Sequence, residues 1–321
     1  MTDPNNSMTG KVCMVTGSTT GIGRATALEL ARRGATVILV GRNAQRGSDT
    51  MSAIKRDTGN ASVSFIQADL SSRAGVHKLA QEFQSGHRHL HVLVNNAGGM
   101  YAVRQESIDG IELTLALNHL GPFLLTNLLL DALKSAAPSR VVNVVSSAHE
   151  DVDAFDFADP QATRTSGLGA YPRGEWASAF YSLALPWAHP AFLQYARSKL
   201  ANILFTNELA RRLAGSGVTA NSVHPGLVAS DFGMGNGIYG WFMRRYIRMR
   251  GISVEAGAAG SILLATSPMF ERISGKYFVN QQPVMPSAAA QDVGAAARLW
   301  ALTEELTQFP RDTSSNALAE K

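Results

Sequence analysis

The chain has 321 residues, 45% of them hydrophobic and 17% charged, which is enough for a large buried core and unlike a disordered chain. Its net charge of +4 is too small to argue for nucleic acid, and its single cysteine, Cys13, excludes an internal disulfide framework and a cysteine-built zinc site. No basic start leads into an apolar run, and the longest apolar stretch, near Phe123 to Leu130, is broken by Thr126 and Asn127, well short of the ~20 residues that cross a bilayer. The expectation is a cytoplasmic protein with no transmembrane segment and no nucleic-acid partner.

Short β-branched runs alternate with longer helical stretches. Val12 to Thr16, Ala35 to Val40, Ser62 to Gln67, Leu90 to Asn95, Arg140 to Ser146 and Val218 to His224 read as strands that are apolar on both faces, as parallel strands covered on both sides must be. Helical segments such as Gly21 to Arg33 and Arg73 to Gly86 lie between them. The alternation predicts an α/β protein, a doubly wound parallel sheet of the Rossmann type. No repeat or linker divides the chain, so one domain is expected over residues 11–308, between tails 1–10 and 309–321. Residues 148–194 break the pattern as a long insertion rich in Gly, Pro and aromatics, among them Trp176 and Trp187. Residues 231–252, with the aromatic and basic run Trp241 to Arg250, form a second irregular segment. Both should sit at the carboxyl ends of the strands, where open α/β sheets bind ligands, and together they suggest an apolar lid.

The run from Lys11 to Gly23 passes from an apolar strand into a helix, with Gly17, Gly21 and Gly23 where the chain must turn sharply. Such a turn admits a diphosphate against bare backbone at the positive end of a helix. A tight turn with no ligand is the competing reading; the position after the first strand favours cofactor binding. No Asp or Glu stands between Glu29 and Asp49, where an NAD site places the acid that holds the ribose 2′-hydroxyl. The second strand ends instead in Gly41-Arg42, and a guanidinium there suits a 2′-phosphate, so NADP(H) is favoured over a merely solvated arginine. Tyr195 and Lys199 are four apart on one helix face, and an ammonium beside a phenol favours the phenolate. Taken alone, that pair is an ordinary amphipathic spacing. His119, His149 and His224 sit at separate element ends without a carboxylate pattern, so no metal site is expected.

These strings together resemble the short-chain dehydrogenase/reductase family, over about Gly10 to Gln308. They are Thr16-Gly17-x-x-x-Gly21-Ile22-Gly23, Asp69-Leu70, Asn95-Asn96-Ala97-Gly98, Asn118-His119-Leu120-Gly121, Ser146-Ser147, Tyr195-x-x-x-Lys199 and Pro225-Gly226, in order and each at an element end. The runs Leu117 to Leu130, Ser198 to Phe205, Val223 to Leu227 and Gly275 to Phe278 are similar to the retinol dehydrogenase and WW-domain oxidoreductase branch. Against that branch, the N-terminal membrane anchor of many animal retinol dehydrogenases is not expected here, and the connection from Ser147 to Tyr195 is longer than usual.

The resemblance implies that Tyr195 is the general acid/base and that Lys199 tunes it and holds the nicotinamide ribose. It assigns Ser147, not the adjacent Ser146, to the substrate oxygen, and gives Asn118 a water that extends a proton relay; a core asparagine satisfied by backbone is the other reading of Asn118. It implies cofactor contacts from Gly17, Ser18, Thr19, Gly21, Ile22 and Gly23, from Arg42, Asp69 and Leu70, from Asn95, Ala97 and Gly98, and from Pro225, Gly226, Val228 and Ser230. It also implies pairing of two copies through the helices that carry Asn118 and Tyr195, giving a homodimer. The function expected is an NADP(H)-dependent oxidoreductase interconverting a bulky hydrophobic alcohol and its ketone or aldehyde, with that small hydrophobic alcohol/carbonyl molecule as its partner. A catalytically silent NADP(H)-sensing scaffold on the same fold is the alternative, disfavoured by the intact Asn118, Ser147, Tyr195 and Lys199. A protochlorophyllide-reductase-like enzyme is disfavoured because its pigment cysteines have no counterpart here.

Overall fold

The first strand of the chain is central. β1 (Val12–Thr16) pairs in parallel with β2 (Thr36–Gly41) on one side and with β4 (Val92–Asn95) on the other. Outward from these lie β3 (Val63–Gln67) beyond β2, and β5 (Ser139–Val144), β6 (Val218–His224) and β7 (Tyr277–Val279) beyond β4, all parallel. A short antiparallel edge strand, β8 (Gln282–Val284), closes the sheet, whose order is β3-β2-β1-β4-β5-β6-β7-β8. The computed structural model describes residues 7–101, 104–163, 189–229 and 250–310. The insertion from 164 to 188, with Trp176 and Trp187, and the segment 230–249, with Ser230, lie outside the described residues.

Strand side chains alternate between two apolar layers. Met14, Ile38, Leu93, Val141 and Ala220 face one core, together with Phe83, Phe123 and Phe205 from α3 (Arg73–Gly86), α5 (Gly121–Leu128) and α7 (His189–Arg212). Cys13, Val15, Val37, Val142 and Val223 face the other, against Leu30 of α1 (Gly21–Arg32) and Leu264 of α8 (Val254–Thr266). This is why the strand runs read as apolar on both faces. α2 (Ala44–Thr58) lies by the same face as α1, and its N-cap Asn43 accepts from the Arg46 N–H.

Between β4 and β5 the helix is irregular. α4 (Leu113–Leu115) runs into a π-helical turn at Ala116–Leu120 and then into α5. Pro122 lies four residues after Asn118 and has no N–H, so it cannot give the Asn118 carbonyl its ordinary helical bond. α6 (Leu130–Ser135) completes the connection. The last helix, α9 (Val293–Thr307), packs on α7, and its Trp300 sits edge-on to Phe123 at 4.8 Å and tilted against Phe205 at 5.9 Å, with the Arg212 guanidinium 4.2 Å over its ring. Among the described residues no helix is long and apolar enough to cross a membrane.

Candidate active site

The carboxyl ends of β1, β4, β5 and β6 meet the N-terminal half of α7, and the motif residues gather there. At β1 the chain turns with Gly17 at φ 63° and Gly21 at φ 54°, a region that favours glycine. A Cβ on Gly17 would lie 2.9 Å from the Ala97 Cα, and one on Gly23 would collide with the Gly17 carbonyl and the Asn96 amide. Thr20, the N-cap of α1, makes no side-chain cap, so the first turn of the helix keeps uncapped N–H groups at its positive end. This bare cradle fits a diphosphate. Ser18 contributes backbone only, because its fully buried hydroxyl accepts from the Val40 N–H at 2.9 Å and ties the turn to β2. Thr19 packs over Gly41, where a Cβ would lie 2.8 Å from the Thr19 Cγ2.

Arg42 is exposed beyond β2, with its carbonyl held by Gln67 Nε2 at 2.9 Å, and no described carboxylate forms an ion pair with its guanidinium. Asp69 is exposed at the end of the β3 connection and accepts from Ser71, whereas Leu70 is buried in the core against Gly121. The Asn95 side chain points inward to Thr126 and Asn143, at 3.1 and 2.8 Å. Its neighbour Asn96 reaches the glycine turn instead, donating to the Thr16 and Gly17 carbonyls at 2.8 and 3.2 Å. Thr16 Oγ1 accepts from the backbone N–H of Asn96 and Ala97, both at 3.0 Å. Thr16 and Asn96 were both visible in the motifs but carried no assignment of their own.

Gly98 brings the turn to the acid/base groups: a Cβ there would lie 3.1 Å from Asn118 Oδ1 and 3.6 Å from Lys199 Nζ. Asn118 is buried, accepts from the Gly99 N–H at 2.7 Å and donates to the Gly99 carbonyl at 2.9 Å. Lys199 is buried, donates to the Val144 carbonyl at 3.1 Å, and stands 5.5 Å from the centre of the Tyr195 ring. Of the two serines it is the Ser146 hydroxyl that acts on the Tyr195 phenol, lowering it against burial. Ser147 engages the site through its backbone N–H, which donates to His224 Nδ1 at 3.2 Å. The reason is local. β5 ends at Val144, Ser146 is extended (φ −150°, ψ 152°), and a 3-10 turn begins at Ser147, so the strand's alternation does not continue to Ser147.

Burial pushes the Tyr195 phenol up to about 12, only partly offset by the Ser146 hydroxyl, and pulls the Lys199 ammonium down to about 8. Desolvation thus dominates at the phenol, opposite to the direction expected from Lys199.

After β6, Gly226 takes φ 83°, and Val228 is buried where the chain pairs with Ile252, whose N–H donates to the Leu227 carbonyl at 2.7 Å. Among the described residues no three His, Cys, Asp or Glu side chains cluster as metal ligands. The three histidines are engaged elsewhere: His119 with Asn202 and Thr303, and His149 and His224 with the serine turn.

The comparisons with known proteins agree with this geometry. A family model described as short chain dehydrogenase matches residues 11–155. Human retinol dehydrogenase 11 is 40% identical over 94% of this chain and 87% of its own, and human retinol dehydrogenase 13 is 37% identical over 92% and 84%. Among solved structures, an uncharacterized protein from Mycobacterium Paratuberculosis is 32% identical with a TM-score of 0.69, covering 95% of this chain and 97% of its own. A complex of Pseudomonas aeruginosa RhlG with NADP is 26% identical with a TM-score of 0.63, covering 86% and 97%. The chain therefore belongs to the short-chain dehydrogenase/reductase family, as an oxidoreductase of the kind that uses a nicotinamide dinucleotide and is similar to the retinol dehydrogenases.

Proposed function

We propose that the protein is an NADP(H)-dependent oxidoreductase that interconverts a bulky hydrophobic alcohol and its aldehyde or ketone. The observation that carries this reading is the Tyr195 phenol, paired with the Ser146 hydroxyl and flanked by Lys199, beside a bare glycine turn. The names of the relatives supply the substrate class, a retinol-like alcohol. Arg42, with no acid at the end of β2, supports the phosphorylated cofactor over NAD. Bound nicotinamide supplies or accepts the hydride.

The chain's own residues manage the oxygen and its proton. In reduction, Tyr195 Oη donates its proton to the carbonyl oxygen, and Ser146 gives a second hydrogen bond that strengthens as charge develops there. The phenolate that remains is stabilised by the Lys199 ammonium. Asn118, whose carbonyl lacks a helical partner from Pro122, offers an acceptor for a water that returns a proton toward Lys199. A phenol pushed up by burial is protonated near neutral pH, the form that reduction requires of the proton donor.

The test is to follow NADPH consumption with retinal, a bulky ketone and a small aldehyde, in wild type and Tyr195→Phe. Turnover of retinal that disappears in the variant while NADPH still binds is the expected result. Undiminished turnover in Tyr195→Phe would overturn the assignment.

A further inference from the structure

We infer that His149 and His224 are positioning residues, a pair of neutral imidazoles that clamp the Ser146-Ser147 turn from two sides and aim the Ser146 hydroxyl at the phenol. The inference rests on the role proposed above for Ser146. His149 donates from Nδ1 to the Ser146 carbonyl at 2.8 Å, and its Nε2 accepts the Ser287 backbone N–H at 3.2 Å. It is fully buried, edge-on to Tyr277 with ring centres 5.1 Å apart. His224, at the end of β6, accepts the Ser147 N–H on Nδ1. The Ser146 oxygen also accepts from the Ala148 N–H at 3.2 Å, and its hydroxyl is the side-chain group that lowers the Tyr195 phenol.

These partners fix the tautomers. His149 carries its proton on Nδ1 and His224 on Nε2, since the other nitrogen of each ring receives a backbone N–H. Charging either ring would set two N–H groups against each other. The surroundings keep both neutral. Burial lowers His149 despite the Ser146 carbonyl and the Glu150 carboxylate, and burial, His149 and the Lys199 ammonium lower His224 to about 4. His149 also links the serine turn to the 287 segment, so the turn is braced from both β6 and the C-terminal part of the chain.

The clamp is tested in two measurements. Retinal turnover at saturating NADPH is compared in His149→Ala, His224→Ala, His149→Asn and His224→Asn, each made in wild type and in Ser146→Ala. Asn keeps a donor at the Ser146 carbonyl or an acceptor at the Ser147 N–H. Each Ala variant should lose about tenfold in kcat with NADPH affinity unchanged, because a small misplacement of a reacting group is costly. Each Asn variant should recover most of that loss, and neither histidine change should lower the residual rate of Ser146→Ala. Independently, the imidazole nitrogen NMR shifts of wild type, assigned with the Asn variants, should show the stated tautomers, with both rings neutral at pH 7. Full turnover in the Ala variants, equal losses in the Ser146→Ala background, or a charged or opposite tautomer at pH 7 overturns the clamp. Undiminished turnover of Ser146→Ala itself would instead remove the reading of the site on which the clamp rests. If the Ala variants do not fold, the Asn variants and the spectra decide.

Discussion

Asn118 and Ser198, 80 positions apart, are joined by a hydrogen bond: Asn118 Nδ2 donates to Ser198 Oγ at 2.9 Å, and Ser198 Oγ donates to the Tyr195 carbonyl at 2.7 Å. The π-helical turn and the helix of the phenol are thereby locked to each other at the level of the reacting groups. Ser198 is fully buried. Ser198→Ala would leave one Asn118 N–H unsatisfied in the core and should cost about 1–3 kcal/mol of stability in denaturant unfolding. A midpoint and slope like those of wild type would show that the link carries no energy.

Ser146→Ala and Ser147→Ala should separate sharply. The first removes the hydroxyl that meets Tyr195 and should lower kcat by about 10²–10³. The second leaves the backbone N–H to His224 intact and should change turnover little. Steady-state kinetics with one carbonyl substrate decide the matter, and the reverse ranking would return the substrate oxygen to Ser147.

Cofactor choice is expected to rest on Arg42 alone. Arg42→Ala should weaken NADPH by about tenfold, or ~1.4 kcal/mol, and leave NADH nearly unchanged in a titration of intrinsic fluorescence. Gly41→Asp, which would press on the Thr19 methyl, should weaken both cofactors by disturbing the phosphate turn. Equal loss of both cofactors in Arg42→Ala would refute the 2′-phosphate reading.

The pH dependence follows from Lys199. Below about 8 the ammonium is present to stabilise the phenolate formed in reduction; raising the pH through that value removes it. Tyr195, near 12, stays protonated over the same interval, so the alkaline limb belongs to the lysine. The reduction rate should be level below that point and then fall by about tenfold per pH unit above it. Lys199→Arg keeps its charge and should flatten the limb. A limb that persists in that variant would assign it elsewhere.

Much of this was legible from one sequence because its strong signals are local. The inner strands β1, β2, β4, β5 and β6 declare themselves by apolar side chains on both faces, and the glycine turn by residues that leave no room for a Cβ. β5 read as reaching Ser146, but it stops at Val144, and the choice between two adjacent serines depends on where extended backbone becomes a 3-10 turn. Asn143-Val-Val-Ser-Ser has no feature that marks that point. β8 is three exposed residues with Pro283 in the middle, too short and polar to show any alternation. Pro122, by contrast, did carry the sign of the π-helical turn, since a residue without an N–H four positions after Asn118 disturbs an ordinary helix. The phenol's upward shift is a property of enclosure, which residue spacing does not report.

The strand order also bears on how the molecule is made. Because β1 lies between β2 and β4, a growing chain that has reached Asn95 already contains the central strand, both of its partners and the glycine turn. Ser146 and Tyr195 come off the ribosome only later, and the brace from Ser287 later still. The glycine turn and its flanking strands are therefore made before the acid/base groups, and the site is completed only by the second half of the chain.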